Sequence, residues 1–125
     1  MTPSELFAQV VTLAPTFRLL VREHLRDNDE LLPHLLMSDL LRYIGSHFSG
    51  NAYMDALPPN PEQIRAILAL LDSEIACHNA DTENLIAVSF IEHIEMEPFF
   101  LQLRPYLGPA LLAELTRQNA WHGAA

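Results

Sequence analysis

Proline placement constrains this chain more than any other feature. Nine prolines punctuate 125 residues, and several stand where a helix would begin rather than where one would be broken. In Thr2-Pro3-Ser4-Glu5 a hydroxyl precedes a proline at the first helical position, and a glutamate follows three residues after the hydroxyl. A proline there gives up only an N–H that has no helical partner, while hydroxyl and carboxylate satisfy two free amides reciprocally. Asn60-Pro61-Glu62-Gln63 repeats the pattern with an amide cap and a glutamine,. Such writing specifies a succession of helices with defined starts.

Apolar spacing fills in the segments between these signals. Phe7, Val10 and Val11 share a face of a first helix that Pro15 stops. Phe17, Leu20, Val21, His24 and Leu25 mark a second, running to Arg26 with Arg18, Arg22 and Arg26 beside the stripe. Pro33 restarts the chain, and Leu36, Leu40, Tyr43, Ile44 and His47 or Phe48 form a third. Ser49 to Asn60 holds Gly50, Pro58 and Pro59 and reads as the longest irregular connection, with Tyr53 and Met54 expected to fold back on the core,. Ile64, Ile67, Leu68, Leu71 and Ile75 give the clearest amphipathic helix. Asp81 is the expected cap of the next, with Glu83 in its first turn,.

Residues 85–91 are apolar almost all the way round, a pattern shared by buried strands and buried helices,. A helix is expected, because the run has a cap, continues through Glu92-His93-Ile94 and has no strand partner elsewhere. Pro98 and Pro105 then delimit Phe99–Leu103, and Gly108-Pro109 opens a last helix carrying Leu111, Leu112 and Leu115, with Gly123 past its end. The expectation is an all-α, single-domain bundle over residues 1–125, with five to six helices and short Pro/Gly-punctuated connections.

Composition narrows the function classes. Half the residues are apolar, enough for a core without a metal or disulfide,. The single cysteine, Cys77, closes neither a disulfide nor a cysteine-based zinc site,. No apolar run approaches a membrane span, and no basic stretch leads into an apolar one at Met1–Glu5, so a cytoplasmic protein without membrane attachment is expected,. Sixteen acidic residues against seven basic ones, all arginine, give a formal charge of −9. That field repels nucleic acid and favours encounter with a basic protein.

Motifs for chemistry are sparse. The six histidines are scattered, with no His-Glu-x-x-His motif,. Glu74 and His78 stand four apart and can meet, yet two ligands do not close a site,. Ser89 lacks a nucleophile elbow, and its hydroxyl is expected to bond the carbonyl one turn earlier,. Cys77 reads as a small buried side chain,. No cofactor and no catalytic or metal residue is assigned. What remains is the acidic surface. Asp27, Asp29 and Glu30 crowd one turn, and Glu92, Glu95 and Glu97 another, close to the aromatic Phe99, Phe100 and Tyr106. Carboxylates beside an aromatic anchor are the ingredients of a protein-binding face, and these nine residues are its candidates.

Leu85-Ile86-Ala87-Val88-Ser89-Phe90-Ile91-Glu92, Leu107-Gly108-Pro109-Ala110-Leu111 and Leu31 to Leu40 together resemble a family of small bacterial helical domains of unknown function. The likeness spans most of the chain and implies an all-helical fold with no established active site. Members resemble immunity proteins of toxin systems in size, helicity and acidity, an analogy of type. The leading expectation is a noncatalytic interaction domain, of the kind that neutralises a basic toxin such as a nuclease. The alternatives are a small metal-dependent or acid/base hydrolase using Glu92–Glu97, and a homodimer.

Overall fold

The computed structural model describes residues 1–124, with side chains as far as Trp121. Helices α1 (Pro3–Leu13), α2 (Arg18–Asn28), α3 (Pro33–Ser49) and α4 (Pro61–Ala76) are followed by α5 (Ala80–Ile86). A π-helical turn, Ala87–Ile91, joins α5 to α6 (Glu92–Ile94). Then come α7 (Phe100–Leu103) and α8 (Pro109–Ala124). Among the described residues the fold is all-α; the one β-bridge pairs Tyr53 with Ala56.

Both proline-led starts form as the sequence dictates. Thr2 Oγ1 accepts from the Glu5 amide at 3.1 Å while Glu5 Oε1 accepts from the Thr2 amide at 2.9 Å. These bonds hold the Glu5 carboxyl below its usual range,. Asn60 and Gln63 exchange the same pair at 2.8 and 3.0 Å. Pro15 opens a 3₁₀ turn, Pro15–Phe17, that feeds α2.

Four local expectations need correction. The cap of α5 is Asn79, whose side chain accepts from the Asp81 amide. Pro105 does not break the chain, because it sits inside a 3₁₀ turn, Arg104–Tyr106, that extends α7. Gly123 lies within α8. Residues 85–91 are helical as expected, but wide-pitched: the Glu92 amide bonds the Ala87 carbonyl five residues back,.

The core is one apolar cluster drawn from every long helix, including Leu6, Phe17, Leu40, Ile67, Phe90 and Leu111. α3 packs along the π turn, α4 against α8, and α1 against α4 and α5. Two glycines permit close approach. A Cβ on Gly45 would lie 2.1 Å from the Phe99 ring, which stacks on Phe48 at 6.2 Å. A Cβ on Gly108 would lie 2.5 Å from the Asp72 carboxyl carbon. That carboxylate accepts from the Leu111 amide at 2.9 Å, so a side chain of α4 supplies the N-terminal cap that Gly108 cannot,.

Candidate functional site

A polar cleft of about 370 Å³ lies between α2, α3 and the 53–56 turn. Glu23 and Asp27 stand one turn apart on α2 and face Asp39 and Arg42 on α3,. Leu35 and Met54, 55% and 50% exposed, contribute apolar surface to the same cleft.

His24 lines this cleft although it is only 5% exposed. Its Nε2 accepts from the Leu32 amide at 2.9 Å, so that nitrogen carries no proton,. Leu32 caps α3 without a capping side chain of its own, and the imidazole takes up the free amide instead,. Asn28 Nδ2 donates to the His24 carbonyl, and Asp29, in the left-handed region at φ 60°, turns the chain toward α3.

On the opposite side, Tyr53 Oη donates to Asp39 Oδ1 at 2.8 Å, and burial with the Asp39 carboxylate pushes the phenol upward from its ordinary value,. Tyr53 and Ala56 exchange two backbone hydrogen bonds of 3.0 and 2.9 Å around Met54 and Asp55. Both central residues have positive φ, 47° and 70°, the signature of a type I′ hairpin turn,. Neither is glycine or asparagine, so the turn holds a methionine in a costly conformation beside the cleft. The expectation that Met54 folds back on the core is therefore overturned, whereas Tyr53 does pack against it.

The nine sequence-nominated residues separate into two regions. Asp27 lines the cleft, and Asp29 and Glu30 lie exposed in the turn that follows α2. Glu92 and Glu95 are exposed and Glu97 is half-buried; none of the three lines the cleft. Phe99, Phe100 and Tyr106 are half-buried and pack against the core. Tyr106 meets Phe48 edge-on at 6.1 Å and lies under the Arg65 guanidinium at 5.4 Å. The apolar side chains most open to solvent in this region are Met96 and Leu101, 84% and 81% exposed.

Other chemistry-bearing residues are engaged differently from what spacing suggests. Ser89 Oγ meets His34 Nδ1 at 2.5 Å rather than a carbonyl one turn back, because the π turn aims it at α3. Glu74 accepts from Thr82 Oγ1 at 3.0 Å, and His78 pairs instead with Glu83 at 3.2 Å. Cys77 is exposed, not buried. Among the described residues no group of three or more His, Cys, Asp or Glu is placed to hold a metal ion. No helix described is long and apolar enough to cross a membrane.

The family follows from the match along almost the whole of this helical body. A protein-family model described as Domain of unknown function (DUF7674) matches residues 7–122. The chain belongs to that family. No curated protein and no solved structure matches it. The DUF7674 match includes α2, α3 and the 53–56 turn, so every element that builds the cleft falls inside it.

Glu23, Asp39 and Arg42 carry no local motif, whereas Asp27 stands out through its acidic neighbours. The four-residue spacing of Glu23 and Asp27 was the available signal for one wall. Nothing local places Asp39 opposite them.

Proposed function

We propose that this DUF7674 chain is a noncatalytic interaction domain that binds a cationic protein through the face formed by α2, α3 and the 53–56 turn. The observation that carries this reading is the composition of the cleft: Glu23, Asp27 and Asp39 line it with Arg42, the exposed Arg26 pairs with Glu23 and lies 3.8 Å from Asp27, and the exposed Leu35 and Met54 flank it. Charges of one sign steer an oppositely charged partner, and apolar contacts at the same place supply area that holds it. The remaining acidic turn residues, Asp29 and Glu30, extend the negative field beyond the cleft. Occlusion of a basic toxin such as a nuclease, as an immunity protein in the cytoplasm performs it, is the role this chemistry suits.

The test is comparative capture of partners from the native host. The wild type, the Glu23→Lys/Asp27→Lys double variant and a control, Glu62→Lys on α4, are used side by side. A basic protein retained by the wild type and the control but lost from the double variant is the expected result. A partner equally retained by all three places binding elsewhere and refutes the reading.

A further inference from the structure

We infer that this chain docks on a second copy of itself, the exposed Met96 ridge of one copy entering an arginine-lined cleft on the next. The inference goes beyond the cationic-partner reading, and its cleft shares no lining residue with the one described above. This second cleft, of about 280 Å³, lies between the start of α2 and residues 55–57. Pro15, Leu19 and the 65%-exposed Leu57 give it apolar surface, and Arg18, Arg22 and Asp55 line it as well. The volume falls short of the roughly 300–1,000 Å³ of small-molecule sites, so it suits one inserted side chain,. Arg18 and Arg22 stand one turn apart on α2, and both are exposed,. Among the described residues, Arg26 and Arg117 pair with carboxylates, whereas Arg18 and Arg22 pair with none, Asp55 included. The chain around them offers little: residues 1–22 hold a single acidic residue, Glu5, out of sixteen in all. Two unpaired guanidiniums beside apolar surface call for an apolar side chain flanked by two carboxylates at matching spacing.

The same chain carries that complement. Glu92, Glu95 and Met96 stand at i, i+3 and i+4, and the backbone stays helical through Glu95, so the three share one ridge,. All are exposed, and Met96, at 84%, is the most exposed of the large apolar side chains described. Neither carboxylate is ion-paired among the described residues. Two successive turns fix the ridge: the Met96 amide bonds the His93 carbonyl and the Glu97 amide that of Ile94, each at 3.2 Å. Glu92 and Glu95 are spaced by about one helical turn, as Arg18 and Arg22 are, and guanidiniums favour carboxylates as partners. Met96 then reaches Leu19 and Leu57, its unbranched stem adapting to an irregular cleft,. A net charge of −9 pushes whole copies apart. At about 0.15 M salt the Debye length is about 8 Å, so opposite charges in contact outweigh that distant field. Ridge and cleft share no residue, so the contact is head-to-tail, and each added copy offers a fresh cleft or ridge unless a ring closes,.

The experiment is sedimentation equilibrium of the full chain from about 10 µM to 1 mM in about 0.15 M salt, the range that a small contact requires. The wild type should gain mass with concentration. Met96→Ser should weaken association about tenfold through lost apolar burial, with charge unchanged. Arg18→Glu/Arg22→Glu and Glu92→Arg/Glu95→Arg, all at exposed positions, should each stay monomeric, because cleft and ridge then carry the same sign,. An equimolar mixture of these two variants should associate again, since the ridge of each opposes the cleft of the other in sign. A wild type that stays monomeric to the top of the range overturns the inference and leaves the cleft to an acidic segment of another protein. Association that survives either double variant, indifference to Met96→Ser, or a mixture that stays monomeric overturns it as well. Far-UV circular dichroism checks the fold of each variant, and the wild-type and Met96→Ser arms decide the matter without the charge variants.

Discussion

At the scale of single residues, two positions show how little room the core leaves. Gly45 is buried in the middle of α3, where alanine would ordinarily gain about 0.5–1 kcal/mol of helix propensity,. Here the added methyl would meet the Phe99 ring at 2.1 Å, and overpacking costs about 1–3 kcal/mol,. Gly45→Ala should therefore lower the unfolding free energy in urea, and Phe99→Ala in the same chain should recover part of that loss in a double-mutant cycle. Tyr43 is wholly buried, and its hydroxyl lies 2.5 Å from Thr16 Oγ1. Thr16 spends its own proton on the Leu57 carbonyl, so the phenol is the donor,. Burial pushes the Tyr43 phenol above its ordinary value. The unfolded chain then loses this proton first, so the stabilisation is intact below about pH 10 and falls as the pH rises toward the folded value. Urea unfolding across that alkaline range should show the decline. Tyr43→Phe should flatten it in part, since Tyr53 shifts in the same direction.

Among the elements, helix starts were the most legible part of this molecule, because capping is local chemistry. Thr2-Pro3 and Asn60-Pro61 carry donor, acceptor and proline within four residues, and both caps form as written. α8 was legible only in part. Gly108-Pro109 gave its start, but its cap comes from Asp72, which no short window contains. Asp72→Ala should cost about 1 kcal/mol of stability, the usual value of a lost N-cap, whereas Asp72→Asn should keep most of it because an acceptor remains. Thermal unfolding of the two variants distinguishes them, and equal losses would mean that charge rather than capping holds α8. The π turn was invisible for a related reason. An apolar run that is buried on all sides has no face from which pitch can be read, so spacing alone does not reveal that Ser89 meets His34.

Over the whole molecule, the all-helical architecture followed from punctuation and periodicity, while the cleft did not. Asp27 stood out through its neighbours, but Asp39 reaches the site only because the turn after α2 reverses the chain and His24 fastens α3 at Leu32. Long-range closure of this kind is set by packing and leaves no local trace. Charge is the property that acts over the longest distance. With a net −9, association with a cationic partner should slow about tenfold or more between low salt and several hundred millimolar salt, while dissociation changes less,. Stopped-flow association at two ionic strengths measures this, and a salt-independent rate would remove steering from the proposed function.

The bond from Asp72 to Leu111 spans 39 positions, so it can form only once α4 and α8 have met. α8 can begin to coil on its own, but its opening turn stays frayed until α4 docks and delivers the acceptor. Hydrogen exchange at Leu111 should thus track the departure of α4 rather than unwinding from the far end. In a circularly permuted chain that emerges with α8 first, that turn would wait for the first three-quarters of α4 to be synthesised before it could settle.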